Sequence, residues 1–411
     1  MAFAIRQLTT EEELLAFASI ASRAYPGFGR GEEEIAQGVR ELESEETNSF
    51  WGCYEGNHLL GGMRILDLSL NYSGKFIPAG GLGYVAVGLP SKKRGVARDM
   101  VRFFLDYCRH HGMGMSLLYP FRPDFYHRMG FGFGQEGRMF ALAPERVPYH
   151  SLAPKVRSLG EEDLEALADC YHDFARSRHG YCCKTEREIK ALLKTQGLYG
   201  YPRSGPLEGY LAFDFARAHD TNALKHDLII REWVWHHPRA FSELASFLHS
   251  QRDQVHRISF STQQPDFHFL SPDPRNPTDN MFNKHYHECY TGGVGLMYRI
   301  TSLPLLLDAI AHRNFNDLDC RLNLEVEDSF CPQETGSYQL LFQGGRVSLD
   351  DHPEEGIAVS LDVAELSSLL MGSVEFSTLY RLGKVKVDPD AVSLLSHLFW
   401  CQQRPECVTS F

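Results

Sequence analysis

A short apolar run, a basic glycine loop and the start of a helix follow one another in Tyr84-Val85-Ala86-Val87-Gly88-Leu89-Pro90-Ser91-Lys92-Lys93-Arg94-Gly95-Val96-Ala97. That order of elements can hold a pyrophosphate. N–H groups at a helix N-terminus lack intrahelical partners, and the helix dipole adds partial positive charge there. Lys92, Lys93 and Arg94 bring full charges to the same point, and Gly95 lets an anion approach the backbone closely. Two common phosphate motifs do not fit. A Walker loop needs G-x-x-x-x-G-K-[ST], and no such lysine follows the glycine here. A dinucleotide fingerprint needs G-x-G-x-x-G after its strand, whereas Gly81 and Gly83 precede this apolar run. From the residues alone, the loop is either an anion cradle or a basic surface turn on an ordinary helix.

The spacing Lys92-x-x-Gly95-x-Ala97 after Val85-x-Val87 resembles the acetyl-CoA loop of the GCN5-related N-acetyltransferases (GNATs). The resemblance implies that the backbone of Val85, Ala86 and Val87 pairs with the pantetheine arm. It further implies that Lys92, Lys93, Arg94, Gly95, Val96, Ala97 and Arg98 surround the pyrophosphate. Lys92 stands where the family has glutamine or arginine, which keeps charge but loses planar bidentate geometry; Arg94 is expected to compensate. Val96, Met100, Phe103, Phe104 and Tyr107 then recur at helical spacing as one apolar stripe, and Gly112 and Gly114 stop it. Met115-Ser116-Leu117-Leu118-Tyr119 reads as a buried strand.

Phe121 and Arg122, also expected beside acetyl-CoA, lead into Phe125-Tyr126-x-Arg128-x-Gly130-Phe131, which resembles the acetyltransferase stretch Y-x-[R/K]-x-G-F. By that resemblance Tyr126 protonates the departing CoA thiolate. A phenol near about 10 and a thiol near about 8.5 are close enough for such a transfer. The alternative for Tyr126 is an aromatic packed over a glycine turn.

The last third of the chain widens the resemblance. Arg299-Ile300-Thr301, Leu305–Ala309, Leu322–Asp328, Gly336–Leu340, Leu366–Gly372 and the close on Leu398-Phe399-Trp400, Pro405, Cys407 and Phe411 look like the sterol-carrier-like domain of the Eis (enhanced intracellular survival) acetyltransferases. In that family the terminal carboxylate enters the active site as general base, so the resemblance gives that role to Phe411. Free in water, an α-carboxyl near about 3.5 facing an amine near about 8–10 makes the transfer uphill by about 7 kcal/mol, a gap that burial narrows.

The expected fold is α/β (α+β): a GNAT catalytic domain over 1–145, a degenerate GNAT-like domain over 151–288, and a sterol-carrier-like domain over 289–411. In the first, Ile5-x-x-Leu8 reads as a strand, Thr10 to Glu13 as a capping box and Glu55-Gly56-Asn57 as a hairpin turn. In the second, the place of a CoA loop is taken by His236-His237-Pro238-Arg239-Ala240, which has no glycine, so phosphate binding there is not expected. His285-x-His287-x-Cys289 offers only three close ligands and predicts no metal site.

Composition narrows the function. The 411 residues carry 53 acids against 41 Lys and Arg, a net charge of −12, which disfavours nucleic acid and favours cationic substrates. No apolar run is long enough to span a membrane, no secretory signal opens the chain, and ten scattered cysteines suit a reducing cytoplasm. The expected partners are acetyl-CoA and a cationic amine of the aminoglycoside, polyamine or lysine type, and the resemblance adds a hexameric assembly. A lipid or sterol carrier and a non-catalytic acyl-CoA-binding regulator are the rival readings.

Overall fold

The computed structural model describes residues 3–151, 153–278, 280–350, 355–407 and 409. The chain opens with β1 (Ala4–Gln7) and α1 (Glu11–Ala24). The expected capping box is present: Glu13 N donates to Thr10 Oγ1 at 3.3 Å, and Thr10 N donates to the Glu13 carboxylate at 3.2 Å. After α2 (Glu32–Glu43), β2 (Asn48–Glu55) and β3 (His58–Tyr72) make the expected hairpin, with Gly56 at φ +59° in its turn. Then come β4 (Lys75–Val87), α3 (Val96–His110), β5 (Met115–Leu118), α4 (Pro123–His127) and β6 (Gly132–Phe133). Strands β1 to β4 pair antiparallel, and β4 pairs parallel with β5. The stripe on α3 buries Val96, Met100 and Phe104 against the sheet, with Phe103 and Tyr107 at its margin. One expectation fails. Gly81 and Gly83 lie inside β4, not before it. A Cβ on Gly80 would sit 2.3 Å from Cys108 Sγ and one on Gly81 2.8 Å from Leu68 Cδ1, so close packing of neighbouring layers selects glycine in a true strand.

Residues 135–295 with 404–409 form a compact unit of their own. It contains β7 (Gly137–Leu142), β8 (Arg157–Ser158), α5 (Leu164–Arg176), α6 (Glu186–Ala191), β9 (Gly197–Tyr201), β10 (Gly209–Arg217), β11 (His226–Trp235), α7 (Pro238–Ser250), β12 (Val255–Thr262), β13 (Met281–Phe282), β14 (Tyr286–His287) and β15 (Tyr290–Gly293). Its main sheet runs β15-β7-β12-β11-β10-β9-β8, with β11 and β12 parallel and α7 between them in sequence. The order β9, β10, β11, α7, β12 repeats that of β2, β3, β4, α3, β5. Leu211, Leu228, Leu244, Leu248 and Ile258 fill the interface of sheet and helix.

The chain then returns to the first unit. β16 (Met297–Ile300) inserts between β5 and β6, antiparallel to both. Beyond it lie α8 (Leu303–Ala309), β17 (Cys320–Glu327), β18 (Gly336–Gln343), β19 (Arg346–Leu349), β20 (Ile357–Asp362), α9 (Val363–Leu370), α10 (Phe376–Arg381), β21 (Val385–Val387) and α11 (Val392–Leu398). Their five strands form one sheet ordered β19-β18-β17-β20-β21. Residues up to Gly134 and from Leu296 to Gln403 make a single compact unit.

Arg299, on β16, is fully buried and ties the two parts of this unit together. Its guanidinium donates to Asp328 Oδ2 at 2.6 Å and to the Met129 carbonyl at 2.6 Å. Asp328 Oδ1 in turn accepts from the backbone N–H of Phe330 and Cys331 at 3.1 and 2.8 Å. Gly130 has φ +79°, and a Cβ there would fall 1.4 Å from Arg299 Nη1. A second tie joins the end of β3 to α9: the Tyr72 hydroxyl donates to the Leu370 carbonyl and accepts from Arg313 at 2.6 Å. Removing one partner of a buried ion pair strands the other in low dielectric. Asp328→Ala is therefore expected to cost about 3–5 kcal/mol of stability, read as a lower urea midpoint for the first unit. A cost under about 1 kcal/mol would show that the pair is not structural.

Candidate functional site

Strands β4 and β5 hydrogen-bond only over Ala79–Leu82 against Met115–Leu118. β5 ends at Leu118 while β4 runs on, and Gly83–Val87 keeps a described strand, β3, on one edge only. The register of β3 and β4 shifts between Gly62 and Arg64, where Tyr84 takes φ +49°. This is a bulge, which turns backbone groups out of the ladder. The Tyr25 hydroxyl donates to the Val85 carbonyl at 2.6 Å and fixes the bulged segment. A gap with free backbone donors and acceptors on one wall suits an extended, amide-bearing arm by strand-like pairing. Val85, Ala86 and Val87 thus stand at the mouth of the gap.

The loop that follows has the form an anion needs. Leu89–Ser91 makes a 3-10 turn, Lys93 takes φ +64°, and Gly95 takes φ +90° as N-cap of α3 with no side-chain cap. The amides of the first helical turn, at Val96, Ala97 and Arg98, are left without a capping side chain. Around Gly95 the Arg98 guanidinium folds back, 3.2 Å from where a Cβ would stand. Lys92 and Lys93 are exposed and make no ion pair among the described residues. Arg94, expected to offset the lysine at position 92, instead pairs with Glu55 at 2.6 Å. That partner, invisible in the loop's own sequence, is an exposed carboxylate on β2.

Tyr126 lies on α4, beyond the end of β5, and is 3 % exposed. Phe121, Phe125 and Phe131 pack edge-on around it at 5.2–5.9 Å between ring centres. Its hydroxyl makes no hydrogen bond to any described residue. Burial, helped by the neighbouring Tyr25 phenol, pushes its pKa well above the ordinary tyrosine value, so it stays protonated across the working range. Tyr25 is itself pushed up to about 12, mainly by burial. Phe121 is 61 % exposed, and Arg122 pairs with Asp124 at 2.7 Å, so both stand on the rim. Phe411 lies outside the described residues.

Two neighbours of this site carry no motif. Tyr25 ends α1 without any periodic signal. His127 follows Tyr126 and meets Glu365 of α9 at 3.5 Å, and Lys384 meets the same carboxylate at 3.5 Å. The hydrogen bond to Glu365 raises the His127 pKa against its partial burial. Burial opposes ionisation of Glu365, but His127 and Lys384 together outweigh it and leave that carboxyl below its usual range.

The second unit repeats the gap but not the cradle. β11 and β12 pair only from His226 to Ile229, and the register of β10 with β11 shifts between Ala212 and Phe213. The N-terminus of α7, however, is capped from within: His237 Nδ1 accepts from Ala240 N at 3.3 Å, and its Nε2 lies 3.0 Å from Glu208 Oε2. A side chain takes the donor that an anion would need, which gives a physical reason for the expected lack of phosphate binding.

Residues 4–134 match the model of an acetyltransferase (GNAT) domain, 175–300 a second acetyltransferase (GNAT) domain, and 306–408 a sterol carrier protein domain. An uncharacterised N-acetyltransferase of Streptomyces coelicolor is 24% identical over 334 residues, 76% of each chain. A GCN5-related N-acetyltransferase from Anabaena variabilis has the same fold over 100% of both chains, with a TM-score of 0.84 at 18% identity. Eis1 from Mycobacterium abscessus is likewise similar over 100% of both chains, with a TM-score of 0.76 at 19% identity.

The pair beneath Tyr126 has a pH signature. A raised histidine pKa stabilises the fold fully below about pH 6.5 and ceases to as pH rises through the higher folded value. His127→Gln is expected to flatten that alkaline-side loss of stability in thermal melts between pH 6 and 8. An unchanged profile would show that His127 and Glu365 do not couple.

Proposed function

We propose that this chain, a GNAT acetyltransferase with Eis-like domain order, moves an acetyl group from acetyl-CoA to a primary amine of a cationic substrate. The observation that carries the reading is the junction of three features in one unit. The strands part after Leu82, the α3 N-terminus is open at Gly95, and a buried phenol with no partner among the described residues, Tyr126, follows β5.

The amine must attack as a free base. Its nitrogen bonds to the thioester carbon, the carbonyl becomes an oxyanion, and the C–S bond then breaks. Backbone amides of the bulged Val85–Val87 segment would stabilise the oxyanion. The proton lost by the amine goes to a general base, for which family resemblance offers the Phe411 α-carboxylate. The thiolate takes its proton from Tyr126. Burial holds that phenol above its ordinary range, so the transfer requires the same burial to raise the basicity of the departing thiolate. The net charge of −12 favours polyamine, aminoglycoside or lysine-type acceptors. A cytoplasmic hexamer belongs to the same reading.

Release of CoA thiol in the presence of kanamycin, spermidine or a lysine peptide, followed with a thiol reagent, tests the class of acceptor. Tyr126→Phe is expected to lower kcat by at least about tenfold while CoA affinity holds. Unchanged turnover would reduce Tyr126 to packing. A short extension after Phe411 should abolish turnover but leave CoA binding intact, and a fully active extended chain would remove the carboxylate from the mechanism.

A further inference from the structure

The gap between β11 and β12 is not closed by protein. Phe174, Tyr181, Trp233, Trp235, Phe260 and Phe267 line a cleft there, together with Glu406 from the segment that follows Arg404. That segment is held along one side of the cleft: Glu406 N donates to the His179 carbonyl at 2.9 Å, and Cys407 N donates to Gln263 Oε1 at 2.8 Å. Two features of the lining are chemically unfinished. The Glu406 carboxylate is partly buried, yet its one described hydrogen bond is a long one from Gln264 Nε2, at 3.4 Å. Among the described residues no cation comes within ion-pairing distance. Burial raises its pKa, with Arg178 opposing from further off. The nearby Glu232 differs, because Lys184 and Tyr210 satisfy it. The second feature is Trp233, whose Nε1 donor is buried with no acceptor among the described residues.

A carboxylate without counter-charge inside aromatic walls is the arrangement that recognises an organic cation. The acid supplies the charge, the ring faces supply cation–π attraction, and both strengthen as water is excluded. A metal ion is a poor fit, since Lys184 and Tyr210 already engage Glu232 and Glu406 is the one other carboxylate of the lining. We infer that the cleft between β11 and β12 in the second unit is a binding site for a small primary ammonium compound, held by Glu406 and the faces of Trp233 and Trp235. An acceptor atom on the bound compound would pair with Trp233 Nε1. The cleft performs no acetyl transfer of its own, because the α7 N-terminus is capped by His237.

Tryptophan fluorescence reads this directly. The chain has four tryptophans, of which Trp233 and Trp235 line the cleft. In a full-length Trp51→Phe, Trp400→Phe background, n-butylammonium chloride should change the emission saturably, and n-butanol should not at equal concentration. Adding Glu406→Gln should weaken the response at least tenfold, whereas Glu406→Asp, which keeps the charge, should retain most of it. Saturating CoA or Tyr126→Phe should leave the titration unchanged, which separates this site from the catalytic one. Equal responses to butanol and butylammonium, or an unaltered titration in folded Glu406→Gln, would overturn the inference. Should Glu406→Gln fail to fold, the contrast between amine and alcohol in the parent decides.

Discussion

Two neighbouring parallel strands that stop hydrogen-bonding partway along create everything this protein has to work with. Backbone groups cannot be buried without partners at low cost, so a sheet that splits must offer its exposed edge to something else. In the first unit the edge is Gly83–Val87, and the bulge at Tyr84 turns it further outward. The helix that follows contributes an open N-terminus, and the short helix after β5 contributes a phenol. None of these parts suffices alone. A bulge is a local irregularity, a glycine loop is a turn, and a buried tyrosine is packing. Their common position at one split makes them a site.

The second unit shows that the split is inherited separately from the chemistry. The same strand order, the same early parting and a bulge at the same relative place recur, but His237 closes the helix end. With no anion cradle, the gap is left to aromatic walls and one underpaired acid. In the first unit the far wall is steadied from below. Arg299 grips the Met129 carbonyl, at the end of the turn that carries Tyr126, and is gripped by Asp328. The space for this exists only because Gly130 has no side chain. The glycine in the Tyr126–Phe131 stretch therefore serves an arginine 169 positions later, and the arginine serves the tyrosine's backbone.

Local signals were legible in the sequence where one segment determines its own conformation. The capping box at Thr10, the turn at Gly56 and the stripe from Val96 to Tyr107 depend on neighbours within a few residues, and each is found where the pattern places it. The loop at Gly95 was readable for the same reason. What the sequence did not disclose are pairings across long separations. Arg94 with Glu55, Tyr25 with Val85, and His127 with Glu365 join segments that carry no mutual signal. The glycines of β4 misled because a glycine cluster reads as a break until the sulfur of Cys108 and the side chain of Leu68 are known to lie against it.

The insertion of β16 has a consequence for how the molecule is made. Its residues, Met297–Ile300, lie between β5 and β6 in the first sheet, yet they emerge from the ribosome only after residues 135–295 of the second unit have been synthesised. Until then β5 presents a bare apolar edge, the kind of surface that nascent chains use to stick to one another. The first sheet is thus completed late, by non-local closure, and a fragment cut near residue 145 would lack an inner strand rather than a dispensable extension.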